Sequence, residues 1–171
     1  MATEVLGDER SLRTGRRERA LAQMEAHDLD ILILGRQSNI RYVSGAQQLW
    51  VAGTRPFAPS CVLLRNGAVH LLSTWDEGVP EDIPHENLYG IAGNPINTFE
   101  NLTKIPRAAT ARRVGSDALS PGFAQLLRMA FPNAELVDGE PAIRAARRIK
   151  TAEEIATLRE SVRVAEVGLA A

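Results

Sequence analysis

Histidines, a lone cysteine and paired carboxylates are the side chains from which a catalytic or metal centre would have to be built in this chain. The three histidines stand at 27, 70 and 85. None falls in a His-x-His, a His-Glu-x-x-His or a cysteine-linked spacing, so no zinc site is readable. His70 sits in an apolar run and reads as a packed imidazole. His27 closes a helical stretch, where it complements the helix dipole, and His85 lies in a loop. The carboxylate pairs Asp76/Glu77 and Glu81/Asp82 belong to a polar loop and read as solvated. Glu153/Glu154 opens a helix, and capping together with the dipole accounts for it. Cys61, in an apolar strand, reads as a small buried hydrophobe, because a catalytic thiolate needs a neighbouring base that the sequence does not offer. There is no Gly-x-Ser-x-Gly elbow and no glycine loop of the phosphate- or dinucleotide-binding kinds. These residues describe a domain without a catalytic centre of its own.

Charge and composition narrow the classes further. The formal net charge is -1, against the basic excess usual in nucleic-acid-binding modules. Five arginines at 10, 13, 16, 17 and 19 form a local exception; on a predicted helix they read as a solvated face. A single cysteine permits no disulfide within the chain. No apolar run approaches the ~20 residues of a membrane span. The first nine residues lack the basic and apolar regions of a signal peptide, so the expected location is the cytoplasm.

The elements that would position these residues alternate in type. Residues 1–7 read as a disordered tail. A helix follows from about Asp8 to His27, with Leu12, Ala20, Leu21 and Met24 on one stripe. The run Asp30–Leu34 reads as a strand buried on both faces. Ser38–Gly45 reads as a short helix with a glycine stop, and Ala46–Pro59 as a loop. Asn66-Gly67 between two apolar runs predicts a two-residue hairpin with positive φ at both turn positions. Strands are expected near 30–34, 60–65, 68–73, 87–91, 112–115 and 134–137. Helices are expected over 95–105, with Ile96, Phe99 and Leu102 at i, i+3 and i+6, and from Ser120-Pro121 to Pro132, with serine as N-cap. A short helix follows over 138–148. Thr151-Ala152-Glu153-Glu154 is a capping box opening a last helix. The sum is an α/β domain whose mixed sheet is flanked by helices.

Three stretches resemble the N-terminal domain of the creatinase, prolidase and aminopeptidase P superfamily. Arg19–Met24, Asp28–Ile33 and Asn39-Ile40-Arg41-Tyr42-Val43-Ser44-Gly45 are similar to its helix, its Gly-Leu-Asp strand entry and its Asn-Ile-x-Tyr-Leu-Ser/Thr-Gly motif. Arg113–Asp117 resembles the strand motif ending in Gly-x-Asp/Glu. Arg147-Arg148-Ile149-Lys150-Thr151 through Arg159 resembles the Arg-x-Ile-Lys-Ser/Thr motif. One departure is Asp28, which stands where the family usually has glycine.

The resemblance implies a creatinase/prolidase N-terminal domain, ribonuclease H-like in fold, over residues 8–150. Residues 151–171 would then begin the helix leading into a catalytic domain that lies outside this sequence. That domain would carry the two divalent metals (manganese, cobalt or zinc), and this fragment none. The implied role is non-catalytic: dimerisation, and closing and selecting substrate at the partner's active site in an Xaa-Pro dipeptidase or aminopeptidase-like hydrolase. Expected partners are the chain's own catalytic domain, a second copy and a small peptide or creatine-like amidine, with no nucleic acid and no membrane. The loop after Gly45 is the one implied to approach the substrate. In it, Arg55 has the fork to hold a carboxylate, and Trp50 and Phe57 have the faces to wall an apolar pocket. The alternative is a stand-alone binding or scaffold module with the same fold.

Overall fold

The computed structural model describes residues 8–46, 60–72, 77–90, 94–117 and 119–170. Their order is α1 (Glu9–Ala26), β1 (Ile31–Leu34), α2 (Gln37–Ser44), β2 (Cys61–Leu64), β3 (Val69–Leu72), a single 3-10 turn (His85–Asn87), β4 (Leu88–Tyr89), α3 (Pro95–Lys104), β5 (Arg113–Ser116), α4 (Pro121–Ala130), β6 (Glu135–Asp138), α5 (Glu140–Arg148) and α6 (Ala152–Ala170). The six strands form one sheet in the order β4-β3-β2-β1-β5-β6. β1, β2 and β3 pair antiparallel, while β4, β5 and β6 each join parallel to their neighbours. This is the mixed α/β sheet expected.

Side-chain alternation along the strands divides the core in two. Leu32, Leu34, Leu63 and Leu71 face Ala20 and Met24 of α1, Ile40 and Val43 of α2 and Ile143 of α5. Ile31, Ile33, Val62, Leu64 and Leu72 face Leu102 of α3, Leu126 and Leu127 of α4 and Phe131. All four residues of β1 are fully buried, at roughly 1.5–3 kcal/mol for each such side chain, so the apolar run does belong to a strand covered on both faces.

Helix boundaries follow the local chemistry. Asp8 accepts from the Arg10 N–H and caps α1. At its other end Asp28 turns into the left-handed region at φ 53°, and the Leu29 N–H reaches the Met24 carbonyl at 2.8 Å. The departure from glycine is therefore at a position that glycine suits best. α2 stops at Gly45, φ 72°. The capping box at Thr151 forms in both directions: the Thr151 N–H donates to Glu154 Oε2 at 2.9 Å and the Glu154 N–H to Thr151 Oγ1 at 3.2 Å.

Four sequence expectations are corrected. The hairpin has a three-residue loop, with Leu64 opposite Ala68 and the Gly67 N–H bonded to the Leu64 carbonyl. Of Asn66 and Gly67, only Gly67 has positive φ, as in a turn closed by a glycine bulge. Ile96 is 69% exposed. The buried line of α3 runs through Thr98 and Leu102 to Ile105, the i, i+4, i+7 path that stays on one face, whereas i, i+3, i+6 drifts off it. Ser120 stands at the N-cap of α4 without a side-chain cap bond, leaving Pro121 as the start signal. The strand expected at 87–91 is two residues long where described, Leu88–Tyr89; Ile91 lies outside the described residues.

Candidate functional site

The three sequence motifs meet just beyond the carboxyl ends of β1 and β5. Asp117, one residue past β5 and 8% exposed, accepts from the Gly35 N–H at 2.7 Å, the Arg36 N–H at 3.1 Å and Asn39 Nδ2 at 2.8 Å. It thereby sets the start of α2. The Asn39 side-chain Oδ1 in turn accepts from the Arg147 guanidinium of α5, which also reaches Ser38 Oγ. Tyr42, one turn further along α2, donates to the Ala146 carbonyl at 2.8 Å and accepts from Arg19 Nε at 3.1 Å. Three guanidiniums, those of Arg16, Arg19 and Arg147, lie 5.7–5.9 Å from the centre of its ring, within cation–π range. Ser44 closes the motif: its hydroxyl donates to the Ile40 carbonyl and accepts from the Ala46 N–H.

Glu154 completes the cluster. Its carboxylate accepts from Arg16 Nε at 2.8 Å and from Arg19 Nη2 at 2.9 Å. Burial opposes its ionisation, but the bonds from Arg16 and the Thr151 N–H and the charges of Arg19 and Arg16 outweigh it, holding the carboxyl below the usual range. A parallel arrangement lies on the same helix: Arg13 and Arg17 both pair with Asp82, at 3.2 and 2.9 Å. The arginine strip is thus not a solvated face. Four of its five members hold carboxylates or the Tyr42 hydroxyl, and their side chains are 16–26% exposed. No local pattern signals this, since the partners Asp82 and Glu154 lie 65 or more residues away.

A groove of about 250 Å³ is lined by Glu9, Leu12, Arg13 and Arg16 of α1, Arg41 of α2, Gly45 and Thr157 of α6. These lining residues include no nucleophile paired with a base. Among the described residues no group of three or more histidine, cysteine, aspartate or glutamate side chains lies together to hold a metal ion, so they do not supply the donor set of a dinuclear centre. The other candidates are packed. His70 is 2% exposed with Nδ1 at 3.3 Å from Tyr89 Oη, and burial lowers its pKa. Cys61 is buried in β2 and its thiol is pushed up to about 12. Trp50, Arg55 and Phe57 lie outside the described residues. The arrangement ties α1, α2, α5 and α6 to one another through side-chain hydrogen bonds.

The fold that carries this cluster has known relatives. The family model described as the Creatinase/Prolidase N-terminal domain matches residues 16–149, a span holding Asn39, Tyr42, Asp117 and Arg147. The chain belongs to that family. Solved structures similar to this creatinase/prolidase N-terminal domain include a proline dipeptidase from Streptococcus pneumoniae (19% identity, 78% of this chain and 98% of that one, TM-score 0.60). Others are the prolidase from Pyrococcus horikoshii (16%, 91% and 41%, 0.63) and the N-terminal domain of the cytoplasmic peptidase PepQ from Mycobacterium tuberculosis (17%, 77% and 98%, 0.56). At these identities the likeness is one of fold. The domain spans 41% of the Pyrococcus chain, and a match over 91% of the present chain takes in more residues than precede α6, so that likeness runs into α6. Among the described residues no helix is long and apolar enough to cross a membrane.

Proposed function

We propose that this chain is the non-catalytic N-terminal domain of an Xaa-Pro dipeptidase or aminopeptidase-like metallohydrolase of the cytoplasm. In this reading it is joined through α6 to a catalytic domain that supplies the metals. It pairs with a second copy, and the segment after Gly45 closes over the partner's active site, with Arg55 holding a substrate carboxylate and Trp50 and Phe57 walling the pocket. The observation that carries the reading is α6 itself. Ile155, Leu158, Val162, Val164, Val167 and Leu169 are 40–89% exposed on it. Ile155, Leu158, Val162 and Leu169 share one face at helical spacing, with Val164 and Val167 on other faces; the described residues leave all six uncovered, on the helix into which the likeness to a prolidase continues.

The test begins with the reading frame beyond Ala171. Five spaced metal ligands downstream support the proposal; a stop codon there supports a stand-alone binding or scaffold module. In the full-length product, Arg55→Ala should raise KM for an Xaa-Pro dipeptide roughly 10- to 100-fold. That follows from charge-assisted hydrogen bonds of about 1.5–3 kcal/mol at about 1.4 kcal/mol per decade. Melting should move little, because a surface arginine contributes about 0.5 kcal/mol or less to stability. Unchanged kinetics in Arg55→Ala would remove this residue from the site. The 171-residue chain alone should release no proline with manganese or cobalt added, and turnover by it would contradict the assignment.

A further inference from the structure

Glu154 is the one buried residue of α6 among those described, 5% exposed in a helix whose large apolar side chains all stand in solvent. The usual order of burial is inverted. A carboxylate is not drawn out of water by the hydrophobic effect; it stays buried only where donors replace its hydration. Here both oxygens are taken. Oε1 accepts from Arg16 and Arg19, and Oε2 accepts from Arg19 and the Thr151 N–H. Arg19 is itself braced by the Tyr42 hydroxyl, which is fixed to the Ala146 carbonyl. One carboxylate therefore ties α6 to α1 directly, and through Arg19 and Tyr42 to α2 and α5.

We infer that Glu154 is a positioning residue: its clamp with Arg16 and Arg19, braced by Tyr42, sets the direction in which α6 leaves the domain. An anchor at one end makes direction sensitive to that anchor. At 1.5 Å per residue, Glu166 lies roughly 18 Å along the axis from Glu154, so a swing of ~20° displaces it by ~6 Å. The inference rests on the proposed function only for what α6 carries; the geometry belongs to this chain and is measured in it.

The experiment places nitroxide labels at Gln125→Cys on α4 and Glu166→Cys on α6 in the 171-residue chain. Cys61, buried with its thiol at about 12, stays unlabelled. Pulsed dipolar spectroscopy should give one narrow distance distribution in the parent. Glu154→Gln should broaden it by ~6 Å, the displacement of a ~20° swing. The double variant Arg16→Gln/Arg19→Gln should do the same while leaving the capping box intact, which separates clamp from cap. Thr151→Ala, which removes only one cap bond, should keep the distribution narrow. A broad distribution in the parent, an unmoved distance in both clamp variants, or equal broadening in Thr151→Ala would each overturn the inference. If the downstream frame proved not to encode a peptidase, these distances would be unaffected.

Discussion

Replacing Asp117 with alanine should destabilise the domain by about 3–5 kcal/mol, less than the sum of the hydrogen bonds its carboxylate accepts. The three donors around its carboxylate, at 2.7, 3.1 and 2.8 Å, each make a bond to an ionised acceptor worth about 1.5–3 kcal/mol. Simple addition overshoots, because water can reach the part-buried Gly35 and Arg36 amides once the carboxylate is gone, whereas Asn39, 1% exposed, keeps its amide unsatisfied. At about 2–4 °C per kcal/mol for a domain of this size, the melting point should fall by roughly 10 °C. Asp117→Asn retains one acceptor and should lose only about 1–2 kcal/mol. Urea unfolding followed by circular dichroism gives both values, provided the slope with denaturant is unchanged. Because Asn39 acts through Asp117, Asn39→Ala added to Asp117→Ala should cost much less than it does alone. A loss below about 1 kcal/mol in Asp117→Ala, or full additivity in the double variant, would refute the argument that this carboxylate holds the start of α2.

Three further outcomes are open to measurement. Gly139→Ala would place a Cβ 2.7 Å from Leu32 Cδ1 and 2.9 Å from the Ser116 nitrogen, so chemical denaturation should register a loss of about 1–3 kcal/mol. Asp28→Gly relieves a left-handed backbone at φ 53° and gives up only an exposed pair with Arg65; its urea midpoint should rise, by up to about 1 kcal/mol of stability. His70 is neutral in the fold, its pKa lowered by burial. Its contribution is fully present above the unfolded value of about 6.5 and is lost as pH falls below it. Stability measured from pH 7.5 to 5 should therefore decline, and His70→Leu should flatten that decline.

The parts of the fold legible in the sequence are those governed by neighbours in the chain. Ile31–Leu34 announces a buried strand by density of apolar residues alone, and Thr151 with Glu154 announces a helix start by a spacing of three. Gly67 announces a turn, but the choice between two and three loop residues depends on how β2 and β3 pair. Ile96 shares an i, i+3, i+6 apolar spacing with Phe99 and Leu102 yet lies outward, because a short helix leaves the phase of its buried stripe undecided until the sheet beneath it is known. The hub is legible only as separate motifs. Asp117 carries no local mark of its bond to Asn39, 78 residues earlier, and the capping box explains Glu154 so well that nothing points to a second role. Arg16 and Arg19 look like surface charge because the partner that neutralises them is 135 or more residues away.

The place of β1 in the sheet also bears on how the chain reaches this structure. Its residue Ile31 pairs on one side with Leu64, 33 positions on, and on the other with Val114, 83 positions on. Closing the longer loop costs about 0.8 kcal/mol more in chain entropy before any contact is made, and it depends on a parallel pairing that no tight turn can template. Chain entropy thus favours the antiparallel pairing of β1, β2 and β3 over the longer-range parallel pairing of β1 with β5. Without β5 the fully apolar strand β1 would be an open edge, the kind of surface that pairs with a wrong neighbour, so the parallel β1–β5 pairing also protects the sheet from misassociation.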